Sequence, residues 1–174
     1  MSLTLLLGCM FSGKSTELIR RVKCLKSIGH DVLVINHLSD NRYSTVEEVV
    51  THSGHAMKSI KAETLSNIDI TGFEVVAIDE AQFFPDLFET VLNYLNLNKK
   101  VIVAGLIGDY KREPIGQVLD LISKADEIVH LRAYCSVCKN GKLASFTKRL
   151  TNETDQVVVG DNTKYMAVCR ECYT

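Results

Sequence analysis

The sequence predicts an α/β fold: a mostly parallel sheet with flanking helices, followed by a small cysteine-bearing module. Three observations point there. Short apolar runs alternate with helix-like stripes, the first apolar run leads straight into a glycine-rich turn, and two Cys-x-x-Cys pairs stand near the end of the chain. Strands alternating with helices imply parallel strands covered on both faces.

Residues 3–7 form an apolar run ending at Gly8, as expected of a buried strand. Beyond Ser15, the residues Leu18, Ile19, Val22, Leu25 and Ile28 make a helical stripe, with Gly29 as its stop. Residues 31–35 read as a second strand. Residues 36–59 are polar and lack a clean period, which predicts a long loop; structureless loops of that size usually carry function. Strands are expected at 74–78, 100–104 and 127–131, and helices at 87–97 and 117–124. From Arg132 the texture changes, and cysteine pairs bracket short β-prone pieces such as 156–159. The sequence has no internal repeat, low-complexity stretch or Pro/Gly-rich linker.

With 174 residues, the chain suits one compact core plus a small appended module. It is 46% apolar and 24% charged, an ordinary globular mix, and no apolar run approaches the roughly 20 residues of a membrane span. Residues 3–7 are too short for the apolar part of a signal peptide, and no basic segment precedes them. A cytoplasmic protein without membrane contact is therefore expected. A formal net charge of −1 argues against a large basic surface for nucleic acid, whose binding rests on neutralising many phosphates.

Gly8, Cys9, Met10, Phe11, Ser12, Gly13, Lys14 and Ser15 fit G-x-x-x-x-G-K-[ST] in full, after a strand and opening a helix. Glycines let backbone N–H groups curl around phosphates, and the helix N-terminus adds partial positive charge. Lys14 is placed to reach the β- and γ-phosphates of ATP, and the Ser15 hydroxyl to ligate Mg²⁺. The sheet is thereby predicted to be of P-loop type. Residues 75–78 then run into Asp79 and Glu80. An acid at that strand end holds Mg²⁺ in P-loop folds, which assigns Asp79; Glu80, one residue nearer the cleft, is free to accept a proton. An ATPase would use Glu80 to position water, and a kinase to deprotonate a substrate hydroxyl. These motifs alone leave both open.

Cys135/Cys138 and Cys169/Cys172 are two knuckles separated by thirty residues. Together they supply four thiolates for a tetrahedral structural Zn²⁺ and leave no open position for catalysis. Cys9 and Cys24 read as reduced small residues. The predicted organisation is a nucleotide-binding domain over 1–131 and a zinc-binding module over 132–174. His52 and His55 read as a solvated loop, and Arg20, Arg21, Lys23 and Lys26 as a solvated helix face.

Several blocks resemble the type II thymidine kinases: residues 10–16, Asp40-Asn41-Arg42-Tyr43, residues 79–84, Thr147-Lys148-Arg149-Leu150, and Lys164-Tyr165 before the second knuckle. The resemblance runs over nearly the whole chain. It implies a kinase moving the γ-phosphate of ATP to the 5′-hydroxyl of thymidine, and of deoxyuridine, with Glu80 as base. It implies that Asp40, Arg42 and Gln82 lie near the ATP phosphates. It implies a nucleoside pocket of Met10, Phe83, Leu106, Tyr110 and Thr147, with Phe84 in packing. A lasso loop between the knuckles would read thymine through backbone groups of Gln156, Val157, Val158, Val159 and Gly160, and Tyr165 would meet the sugar. A homotetramer inhibited by thymidine triphosphate is implied as well. The chain departs from that pattern at Cys9 (usually proline), Ile107 (usually aspartate), Ile115 (usually phenylalanine) and Gln156 (often apolar), and its lasso is about two residues longer near 140–142.

Two other functions fit the sequence less well. Ser123-Lys124-Ala125-Asp126 imitates a guanine-reading motif, but a helix-like segment precedes it and a strand follows, the reverse of what a GTPase needs. Asp79 also lacks the GTPase glycine three residues on. A zinc-ribbon ATPase acting on DNA is disfavoured by the mild net charge and the absence of a second large domain.

Overall fold

The first apolar run becomes β1 (Ser2–Gly8), followed by α1 (Lys14–Ser27), β2 (Val32–His37), β3 (Glu48–Val50), β4 (Ala56–Lys58), β5 (Ile60–Ala62) and β6 (Val75–Ile78). Next come α2 (Leu87–Asn96), β7 (Lys100–Leu106), β8 (Glu127–Leu131), β9 (Ala133–Tyr134), β10 (Leu143–Ala144), β11 (Phe146–Arg149), β12 (Tyr165–Val168) and α3 (Arg170–Tyr173). Short 3₁₀ helices lie at Ala81–Phe83 and Leu119–Lys124. The computed structural model describes residues 1–39, 48–50, 56–158 and 160–174, with the backbone alone described at 48–50 and 56.

Among the described residues, six strands form one sheet in the order β5-β2-β6-β7-β1-β8, and every neighbouring pair is parallel. Side chains alternate across β1. Leu3, Leu5 and Leu7 join Leu87, Val91 and Tyr94 of α2 in one core, while Leu6 joins Leu18, Ile19 and Val22 of α1 in the other. Burying one such leucine contributes about 1.5–3 kcal/mol, so these two stripes hold the helices against the sheet. The expectation of a parallel α/β sheet covered on both faces is met.

Parallel strands put all their C-terminal ends on one edge, where ligands of open α/β sheets bind. Gly8 aligns with Leu106 on β7 and with Leu131 on β8, while Ile78 aligns with Val103. The phosphate loop, the Asp79-Glu80 pair and Leu106 therefore emerge at the same edge.

The expected loop over 36–59 is broken up. Asn36 and His37 continue β2 with buried side chains, and β3 pairs with β4 as an antiparallel ladder from Glu48↔Lys58 to Val50↔Ala56. Polar composition hid three-residue strands that are too short to display a period of two. For the same reason the edge strand β5, paired at Ile35↔Ile60, left no sequence signal. Asp40, Arg42, Tyr43, His52 and His55 lie outside the described residues. Ile28, expected on the buried stripe of α1, is instead its C-cap and 73% exposed, because the helix ends before it. The helix expected at 117–124 is a 3₁₀ helix, closed by bonds such as Leu121 N to Val118 O (3.3 Å). Over six residues, periods of 3.0 and 3.6 cannot be told apart. Residues 156–158 carry no strand despite their β-prone composition.

Beyond β8 the chain forms two short antiparallel ladders, β9 with β10 and β11 with β12, and ends in α3. Cys135, Cys169, Ala144, Ala167 and Val168 pack there against Cys9 of the phosphate loop, whose thiol donates to Ala144 O (3.5 Å). No described helix is long and apolar enough to cross a membrane.

Candidate active site

The phosphate loop needs its glycines for two reasons. A Cβ at Gly8 would lie 2.4 Å from both Leu131 O and Ser12 Oγ, so nothing larger fits where β1 meets β8. Gly13 sits at φ 84°, the left-handed region that glycine enters without penalty, and its carbonyl accepts from Glu17 N (2.9 Å) to start α1. Phe11 shares that left-handed region at φ 64°. Ser12 Oγ and Lys14 Nζ both donate to Cys9 O at 2.8 Å, tightening the loop on itself. Burial pushes the Cys9 thiol above its ordinary pKa, so it stays protonated and packs as a small apolar group.

At the end of β6, Asp79 is 2% exposed, and its N–H donates to Ile35 O (2.8 Å). Glu80 follows at φ 50°. A non-glycine residue in that region costs about 1–3 kcal/mol and persists where its surroundings enforce it, often at functional sites. Here the enforcement is visible. Glu80 Oε2 accepts from Gln82 Nε2 (2.6 Å), and Gln82 Oε1 accepts from Leu106 N (3.1 Å). Gln82 thus ties the Glu80 carboxylate to the end of β7. Gly116, at φ 59°, backs this strut, since a Cβ there would lie 2.1 Å from Gln82 O.

One cleft joins the two sets of residues that the sequence picked out. Met10, Phe11, Gly13, Lys14 and Ser15 line it from the phosphate loop, and Glu80, Gln82, Phe83, Leu106 and Tyr110 from the sheet edge. Thr147, Gln156, Val157, Val158, Gly160 and Tyr165 line it from the C-terminal segment. Gly8, Cys9, Ser12 and Asp79, also expected at the site, are not among the residues that line it, and Val159 lies outside the described residues. Phe84 is core, 1% exposed, while Phe83 faces the cleft. His37 packs against the Phe83 ring at 5.5 Å and the Phe84 ring at 4.9 Å between centroids, and burial lowers its pKa, favouring the neutral imidazole.

The loop after β11 is held across the cleft by a polar network. Thr147 Oγ1 accepts from Met10 N (3.0 Å), linking the loop's root to the phosphate loop. Arg149 Nη1 donates to Glu153 O (2.9 Å) and Asp155 O (2.6 Å), and its Nη2 to Gln156 O (3.1 Å) and Tyr165 Oη (2.8 Å). Its guanidinium lies 3.7 Å from the centroid of the Tyr110 ring, a cation–π contact. Tyr165 Oη donates in turn to Val158 O (2.7 Å), and Tyr110 Oη to Thr154 O (2.9 Å).

Cys135, Cys138, Cys169 and Cys172 come together with their sulfurs within 4.8 Å of one another, a group that could hold a metal ion. Backbone N–H groups of Cys138 and Cys169 hold the Cys135 thiol down at about 6, while Cys172 is pushed up to about 12 beside Cys169. Four adjacent thiols cannot all ionise against their mutual repulsion, and a divalent cation removes that conflict. The donor set fits tetrahedral Zn²⁺.

A family model described as thymidine kinase matches residues 1–173. The thymidine kinase of Vaccinia virus (strain Western Reserve) is 43% identical over 171 residues, covering 97% of this chain and 94% of its own. The thymidine kinase of Variola virus is 43% identical over the same length. The cytosolic thymidine kinase of Homo sapiens is 42% identical over 170 residues, covering 97% of this chain and 71% of its own. This chain belongs to the thymidine kinase family.

Within this thymidine kinase family member, Arg149 and Asp109 are among the cleft residues to which the sequence reading gave no role, whereas Ile115 was named there as a departure from the family pattern. Arg149 stood inside a recognised block, but nothing in its position foretold a guanidinium spanning the loop's carbonyls. Asp109 (5% exposed) and Ile115 also line the cleft. An aspartate three residues past the apolar run of β7 was the available signal for Asp109.

Proposed function

We propose that this chain is an ATP-dependent thymidine kinase that transfers the γ-phosphoryl group of ATP to the 5′-hydroxyl of thymidine, and also of deoxyuridine. The observation that carries the reading is the single cleft onto which Lys14, Ser15, Glu80 and the loop at 156–158 all open. Lys14 and the N-terminus of α1 receive the phosphates. Ser15 and Asp79 would hold Mg²⁺, which when bound offsets charge on the phosphate oxygens. Glu80 takes the proton from the 5′-hydroxyl. O5′ then bonds to the γ-phosphorus as the bond to the β-bridging oxygen breaks, leaving ADP. The 2.6 Å bond from Gln82 orients Glu80 for this role.

Met10, Phe83, Leu106, Tyr110 and Thr147 enclose the nucleoside in this reading, and Tyr165 meets the sugar. Asp40 and Arg42 serve the phosphates, and backbone groups of 156–160 read the base edge. The four cysteines hold a structural Zn²⁺, and 132–174 acts as one zinc and lasso module beside the nucleotide-binding domain 1–131. Cytoplasmic localisation, a homotetramer and inhibition by thymidine triphosphate accompany the reading by resemblance.

A base edge read by buried backbone donors and acceptors discriminates because a mismatched base leaves them unpaired, at about 1–3 kcal/mol each. Deoxycytidine reverses thymidine's donor–acceptor pattern at two positions, N3 and the exocyclic group on C4. Its kcat/KM should therefore be lower by at least roughly 30-fold. Steady-state kinetics with both nucleosides measure this, and comparable values would refute backbone reading of the base.

A further inference from the structure

Besides Arg149, the loop at 150–158 has an anchor that phosphate chemistry does not require. Gln156 Nε2 donates to Asp109 Oδ2 and to Pro114 O, each at 3.1 Å. A carboxylate and a carbonyl are both acceptors only. The amide can therefore face them only with its NH₂ end, and each of the two hydrogens has a partner. Asp109 is set in advance by its own turn. Its Oδ1 accepts from Lys111 N (2.7 Å) and Glu113 N (2.9 Å), and its backbone N–H donates to Glu113 O (2.9 Å). One oxygen fixes the side chain, which leaves the other aimed at the loop.

The two anchors differ in kind. Arg149 belongs to β11, and the carbonyls it gathers lie four to seven residues along the same segment. Those bonds shape the loop locally, while the stacking of Arg149 on Tyr110 and the Tyr110 Oη bond to Thr154 O (2.9 Å) add a neutral tie to the turn after β7. Gln156 reaches 47 residues back in sequence to the turn after β7, and Asp109 brings a full charge to that crossing. Hydrogen bonds to a charged group are roughly twice as strong as neutral ones. Gln156, Asp109 and Tyr110 all line the cleft that the loop covers.

We propose that Asp109 and Gln156 form a latch that holds residues 150–158 down over the nucleoside half of the cleft and so sets how tightly the nucleoside is retained. Both are positioning residues, acting through the loop. The substrate named here rests on the thymidine kinase reading above, whereas the latch itself does not.

Gln156→Glu keeps the shape, removes both donors and sets carboxylate against carboxylate. Asp109→Asn keeps Oδ1 for its turn and places an amide nitrogen where Oδ2 was. The double variant again sets a donor opposite an acceptor. Gln156 is exposed, so its substitution leaves the core intact. In ligand-free protein, amide hydrogen exchange over 150–158 should quicken roughly three- to tenfold in each single variant and recover in part in the double, where a donor again faces an acceptor at position 109 while Pro114 O stays without its partner. The KM for thymidine should rise by a similar factor with kcat within about twofold and the KM for ATP unchanged. Exchange at the wild-type rate in the single variants, or a double variant as impaired as the two singles combined, would overturn the latch. A joint rise in both KM values would show a general structural defect and overturn it too. If the unaltered protein shows no thymidine-dependent turnover, the functional reading fails, and the exchange rates still decide the latch.

Discussion

Glu80→Gln should lower turnover by roughly 10²–10⁴-fold, the usual contribution of a positioned general base. The substitution keeps the side chain's shape and an oxygen to accept the 2.6 Å bond from Gln82, so the strut to Leu106 survives. It removes only the capacity to take a proton. Asp79, the neighbouring acid assigned to Mg²⁺, is untouched. Affinity for ATP and for thymidine should therefore change little, the signature of an interaction made only in the transition state. Steady-state rates together with direct binding of both ligands decide the point. Near-normal turnover, or a loss that follows from weakened ATP binding, would contradict the assignment of the base.

Removing the metal should have an effect of comparable size by a different route. Purified protein is expected to carry one Zn²⁺ per chain on Cys135, Cys138, Cys169 and Cys172. In small zinc domains such binding supplies about 10–16 kcal/mol, which is folding free energy because no site exists in the unfolded chain. The cysteine cluster packs on Cys9, and Thr147 Oγ1 accepts from Met10 N, so the cysteine-bearing segment also braces the phosphate loop. Chelation, or Cys169→Ser, should disorder the segment after residue 132 and abolish activity together. Metal analysis, limited proteolysis and turnover on the same sample measure this. Fresh, active protein holding clearly less than one zinc per chain would contradict it.

The fold was legible where physics leaves a strong local mark. Fully buried parallel strands read as apolar runs, and the stripe of Leu18, Ile19 and Val22 announced α1. The phosphate loop is legible because its glycines answer to geometry, as the 2.4 Å clearance at Gly8 shows. Three-residue strands such as β5 left no trace, since no period can be counted over so few residues. Proximity was also invisible. Nothing local to Gln156 points to Asp109, and nothing in Thr147 points to Met10; these partners meet only when β11 and β12 fold back across the sheet edge. Arg149 shows the same limit, because its function as a strut depends on where the chain's own carbonyls return.

If this cleft passes phosphate from ATP to a nucleoside 5′-hydroxyl, ADP release by the purified protein must depend on that hydroxyl. With ATP, Mg²⁺ and thymidine, ADP should form in step with thymidine 5′-monophosphate. It should stay near background without a nucleoside or with 5′-deoxythymidine, which presents the same base but no 5′-hydroxyl. ADP release that ignored thymidine, or that 5′-deoxythymidine supported equally well, would contradict the account.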